Sequence, residues 1–180
     1  MRKSLSWVLV IGFATVPLLA QATGPADKVT VETVAAAIRQ ADKKHPLLFA
    51  DSAAFAALRE HAGQNEFSRQ ALERILFDAD NMLTFPVSKR ELEGRRLLGV
   101  SRCALHRVST LAMAYRLSGK TAYRDRCIAE MRAVADFADW NPSHFLDVAE
   151  MTLAMAVGYD WLYTDMDDAT RTAKIGRAHV

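Results

Sequence analysis

His144 stands directly after the helix-breaking triplet Asn141-Pro142-Ser143 and directly before a long apolar stretch, which puts it in the first turn of a helix. Helix N-termini carry unpaired N–H groups and a partial positive charge, and both suit an anion. The other role open to His144 is a capping or core-edge histidine bonded to a neighbouring loop. Asn141 has the same two roles, turn former or ligand contact. Arg95 and Arg96 stand at the start of an earlier helical stretch, where two guanidinium groups could grip a carboxylate bidentately or stay solvated beside Glu91 and Glu93. These four residues, Asn141, His144, Arg95 and Arg96, are the candidate substrate-binding set. Asp147 and Glu150 interrupt the apolar stretch and need partners, for which Arg107 and His106 are the expected groups. A carboxylate paired deep between helices serves structure more readily than proton transfer. Tyr159, Trp161 and Tyr163 read as inter-helix packing rather than as a sugar-stacking platform.

The elements that must position these residues are helical throughout. Apolar residues recur at helical spacing over Val31–Lys43, then over a short segment capped by Asp51 or Ser52 with Phe55 and Leu58 on one side. They recur again over Glu66–Leu83, where Phe67, Ala71, Ile75, Ala79 and Met82 mark one face. A helix is expected over Arg95–Leu117, a turn with a glycine C-cap at Gly119, and a second helix from a Thr121 cap to about Ala138. A third runs from a Ser143 cap to Leu162, and a fourth starts within Thr164–Asp167. The string LAMA at 111–114 returns at 153–156, a spacing of about 42 residues that lies in the range of helical-hairpin repeats. Residues 145–162 are apolar almost all round and require neighbours on most sides, whereas 121–138 carry Arg124, Asp125, Arg126, Glu130 and Arg132 on one side. The pattern predicts an all-α fold in which inner and outer helices alternate around a centre. Its inner helices would start on one rim, bringing Arg95 and Arg96 beside Asn141 and His144.

Cys103 and Cys127 fall on the two arms of the hairpin that turns near Gly119. At 1.5 Å per residue they are offset by about 12 Å along the axis, beyond disulfide reach, so both thiols are expected to stay free. Neither belongs to a metal-spaced Cys/His set, and no cofactor is expected.

The first 22 residues read as a secretory signal: Arg2 and Lys3, then an apolar run from Trp7 to Leu19, then Ala20-Gln21-Ala22 with cleavage after Ala22. The run is shorter than the roughly 20 residues a membrane span requires, so no stable insertion is expected after cleavage. Residues 174–180, Lys-Ile-Gly-Arg-Ala-His-Val, resemble a translated sequencing adapter and are expected to be foreign to the fold. Lys+Arg of 23 against Asp+Glu of 21 gives a net charge of +2, too balanced for a nucleic-acid binder.

Arg95-Arg96-Leu97-Leu98-Gly99-Val100-Ser101, Val108–Leu117, Asp139–Met151 and Gly158-Tyr159-Asp160-Trp161-Leu162-Tyr163 resemble the N-terminal helical domain of heparinase II/III-type proteins. His45-Pro46-Leu47-Leu48-Phe49 is similar to the opening of that domain. The resemblance implies that residues 23–173 are the first portion of an incomplete (α/α) toroid of antiparallel helix pairs. It implies a periplasmic or secreted lyase that cleaves uronic-acid polysaccharide by β-elimination, with an acidic polysaccharide or oligosaccharide as partner. The family's Asn-His pair and catalytic Tyr would lie on later helices, so no catalytic residue is expected here and this stretch alone is expected to be inactive. Two other readings stay open from the residues: a helical-hairpin scaffold that binds a peptide or protein, and a toroidal glycoside hydrolase.

Overall fold

The computed structural model describes residues 30–40 and 44–172, without the side chains of Ile38 and Gln40. The signal peptide with its Ala22 cleavage point, the last residues of the first expected helix and the 174–180 tail lie outside the described residues. All regular structure in the described residues is helical: α1 Val31–Gln40, α2 Ser52–His61, α3 Glu66–Met82, α4 Leu98–Ser118, α5 Thr121–Ala135, α6 Phe145–Leu162 and α7 Asp168–Thr172, with a 3-10 turn at Tyr163–Asp165 before α7. No described helix is long and apolar enough to cross a membrane. α1 belongs to one compact unit, residues 1–42, and α2 to α7 belong to a second, residues 43–180.

Local chemistry accounts for the helix ends. Thr30 and Thr33 exchange main-chain and hydroxyl hydrogen bonds at the start of α1. Asp51 caps α2 by accepting from the Ala54 N–H at 2.8 Å, and Asn65 with Ser68 forms a reciprocal capping box for α3. Gly119, at φ 72°, closes α4 in the left-handed conformation its missing Cβ permits, and donates its N–H to Tyr115 O at 2.7 Å. α5 departs from expectation: Lys120, not Thr121, is its N-cap residue, without a side-chain cap, and Lys120 Nζ reaches Asp80 at 2.7 Å.

α4 and α6 are the central pair. Their cross-contacts keep a nearly constant sequence offset, from Leu97–Asp147 and Ser101–Glu150 at one end to Arg116–Trp161 and Tyr115–Asp165 at the other, so the two helices run parallel. α5 returns antiparallel to α4, with Cys127 Sγ against Val108 O at 3.5 Å. The buried core is drawn from all three: Val108 and Leu111 of α4, Met131 and Val134 of α5, Met151 and Met155 of α6. Burial of each such side chain contributes about 1.5–3 kcal/mol. Gly158 is the point of closest approach, since a Cβ there would stand 2.6 Å from both Val108 Cγ1 and Met131 Sδ.

Two faces differ from the sequence reading. α3 buries Ala79 and Met82, but Phe67 is 82 % exposed, because α3 meets its neighbours only along its later turns. Glu130, expected on the solvated side of α5, is fully buried between Arg126 at 2.8 Å and Arg107 at 3.4 Å and accepts from the Ser88 N–H at 3.0 Å. Two cations and an amide offset a desolvation cost that would otherwise be several kcal/mol. Arg107 is thereby committed to Glu130 and to Pro86 O, so it does not serve Asp147 or Glu150.

Candidate functional site

The parallel run of α4 and α6 puts both helix starts on one edge, and the segments leading into them are joined there by hydrogen bonds. α4 begins at Leu98, later than the expected Arg95, because Arg95 and Arg96 lie in a tight turn. Glu93 N donates to Arg96 O at 2.8 Å, Arg96 N donates to Glu93 O at 3.2 Å, and Gly94 takes φ 63° between them. The turn leaves both arginine side chains exposed, with no ion-pair partner among the described residues. The expected charge pairing with Glu91 or Glu93 is not made; Arg96 and Glu93 meet through their main chains only.

Asp147 is the hub of this edge. It is fully buried, and its carboxylate accepts from Leu97 N–H at 2.7 Å, Asn141 Nδ2 at 2.7 Å and His144 Nδ1 at 2.9 Å. Burial works to raise its pKa. The bonds from Leu97, Asn141 and His144 overcome that effect and hold the carboxyl below its ordinary value. These partners replace the expected Arg107 and His106. Glu150, the next carboxylate along the apolar helix, bonds Ser101 Oγ at 2.6 Å and Arg102 Nε at 3.4 Å.

Asn141 occupies the left-handed region at φ 59°, a conformation that asparagine tolerates better than most residues. Its amide is fully committed. Nδ2 donates to Arg95 O at 2.9 Å as well as to Asp147, and Oδ1 accepts from Ser143 Oγ at 2.8 Å. Ser143, the expected cap, thus serves Asn141, and His144 is the N-cap of α6 without a side-chain cap bond. With an ionised Asp147 on Nδ1, that nitrogen carries the hydrogen, and Nε2 has no hydrogen-bond partner among the described residues. The ring is 29 % exposed.

The four sequence-selected residues are therefore brought together, in different roles. Asn141 ties the two loops, Arg95 contributes its carbonyl to that tie, and the groups left without a hydrogen-bond partner among the described residues are the Arg95 and Arg96 guanidinium groups and His144 Nε2. Beside the Arg95-Arg96 turn lies an open groove of about 490 Å³ lined by Lys89, Glu91, Glu93, Gly99, Cys103 and Arg107 among others. Among the described residues, no group of three or more His, Cys, Asp or Glu side chains is placed to hold a metal ion.

The sequence reading passed over a second buried carboxylate. Asp160, 3 % exposed, accepts from His45 Nδ1 at 2.6 Å, from Leu47 N–H at 2.8 Å and from Leu48 N–H at 2.7 Å. Its signal was available, since a carboxylate in an apolar helix demands partners, but the partners lie more than a hundred residues away.

No protein-family profile matches the chain, and no curated protein sequence matches it. Its fold and this edge define it as an all-α protein with two parallel central helices whose starts share one buried aspartate.

Proposed function

We propose that the edge carrying Arg95, Arg96 and His144 binds carboxylate-bearing sugars of an acidic polysaccharide. In this reading the chain forms the first helix pairs of an incomplete (α/α) toroid in an exported lyase of the heparinase II/III type. The observation that carries the proposal is the shared grip of Asp147 on Leu97 N–H and His144. It fixes the main chain that follows two exposed arginines, and an imidazole, at the starts of two parallel helices. A uronate carboxylate would meet charge-assisted donors on the two arginines, together with the partial positive charge of the α6 N-terminus. β-Elimination further requires that the carboxylate be neutralised and the adjacent carbon-bound proton be removed. The arginines suit the first task, and the family resemblance puts the proton-handling groups on later helices. The parallel α4–α6 pair, with α5 returning against α4, supports the toroidal arrangement.

A second reading, a helical-hairpin scaffold for a protein or peptide, is favoured by one feature: Phe145, Leu146 and Leu153 of the apolar α6 are 80 %, 45 % and 41 % exposed. A glycoside hydrolase is disfavoured, because Asp147 is fully buried and both it and Glu150 are already engaged by protein donors.

The test is to titrate the chain with a uronate hexasaccharide while following the His144 ring by NMR, and in parallel to incubate it with several uronate polymers and record the ultraviolet absorbance of unsaturated product. The proposal expects a saturable His144 shift without product. An unmoved His144 ring would overturn the binding edge, and product formation would place the proton-handling groups on the present helices.

A further inference from the structure

The other end of α6 carries an arrangement that the proposed binding edge does not use. His45 is turned by its Nδ1 bond to buried Asp160, and its ring lies 4.0 Å from that of Tyr163 at an interplanar angle of 30°. Tyr159 meets His45 edge-on at 6.0 Å and Tyr163 at 5.3 Å. Arg171 covers the Tyr163 ring at 5.3 Å. Asp160 already receives the Leu47 and Leu48 N–H groups, and Leu48 O accepts from Trp161 Nε1 at 2.8 Å, so the 45–48 loop is pinned at every turn. Against that bonding, three polar atoms in one aromatic cluster have no hydrogen-bond partner among the described residues: His45 Nε2, Tyr159 Oη and Tyr163 Oη. All three side chains are half-buried.

The same loop displays an aromatic ring at a cost. Phe49 is the central residue of a turn in which Ala50 N–H donates to Leu48 O at 2.7 Å, and it takes φ 63° with its side chain 80 % exposed. A three-residue turn with positive φ is the strained form, and a non-glycine residue held there costs of order 1–3 kcal/mol. Solvent exposure of the ring returns none of that.

We propose that His45, Tyr159 and Tyr163 form a saccharide-binding site, separate from the Arg95–Arg96–His144 edge, that recognises the hydroxyl groups of a neutral sugar ring. Imidazole Nε2 accepts from one sugar hydroxyl, and the two phenols donate to or accept from others. The nearly saturated Asp160 acts as the positioning residue that fixes the His45 tautomer. The site sits about 20 Å along α6 from Asp147, at 1.5 Å per residue, so the two are occupied independently. It does not rest on the uronate reading.

The probe is a carboxyl-reduced, neutral hexasaccharide added to the full chain, with the histidine ring signals followed by NMR and His45→Ala used to assign the His45 signal. The His45 signal is expected to shift and saturate while the His144 signal stays in place. Tyr159→Phe and Tyr163→Phe delete only the hydroxyls and keep the packing. Each is expected to weaken binding by about three- to tenfold, the worth of one neutral hydrogen bond. An unmoved His45 signal, or unchanged affinity in both Phe variants, would overturn the proposal.

Discussion

Asp147 and Asp160 stand near opposite ends of α6 and are bonded alike: each is buried, each holds an imidazole by Nδ1, and each accepts main-chain N–H from a distant segment, one group at Asp147 and two at Asp160. Two carboxylates thus fasten the loop before α4 and the loop before α2 to one otherwise apolar helix. Stability and site geometry depend on the same groups.

Removal of the first hub strands its partners. Asp147→Ala leaves Leu97 N–H and one of the two Asn141 amide hydrogens without an acceptor, the other staying on Arg95 O, and is expected to lower unfolding free energy by about 3–5 kcal/mol in urea titrations. Arg102→Ala, at the exposed end of the 3.4 Å contact with Glu150, is expected to cost less than about 1 kcal/mol.

The depressed Asp147 pKa sets a direction for acid unfolding. Its folded value lies below its unfolded one, so its stabilisation is complete above the unfolded value and disappears as pH falls through the folded value. Stability is therefore expected to drop below about pH 4, near the ordinary aspartate value. Asp147→Asn should show a shallower fall over that window when thermal midpoints are compared.

Gly158 has no room for a methyl group. Val108 Cγ1 belongs to a stiff β-branched side chain and cannot withdraw as Met131 can. Gly158→Ala is expected to destabilise by about 1–3 kcal/mol even though alanine favours the helix, which calorimetry would read as a lower melting temperature.

The two cysteines should differ in reactivity. Both are free; Cys127 is fully buried, and burial pushes its thiol pKa up, whereas Cys103 is half-buried along the groove beside the Arg95–Arg96 turn. Mass spectrometry after native alkylation is expected to find label on Cys103 alone, with label on Cys127 appearing only in denaturant.

Helical periodicity made the all-α class legible in the sequence, and the hairpin through Gly119 was legible because glycine marks a left-handed cap. The edge residues were legible as types, since a break before His144 and paired arginines both precede apolar helices. Their bonding was not legible. Asp147 joins residues on two segments about fifty positions apart, and nothing local distinguishes Leu97 N–H from its neighbours as the donor. Phe67 misled because periodicity reports which face is apolar and not how far along a helix its neighbours extend.

The binding edge is tested most directly by calorimetric titration of a uronate hexasaccharide into the wild-type chain and into the Arg95→Ala/Arg96→Ala variant at low salt. Both side chains are exposed, so the substitution leaves the Asn141 bond to the Arg95 carbonyl and the fold intact. The account predicts saturable binding by the wild type that weakens at least about tenfold in the double variant, the worth of one charge-assisted contact. Equal affinity in the two proteins, or no binding by either, would contradict it.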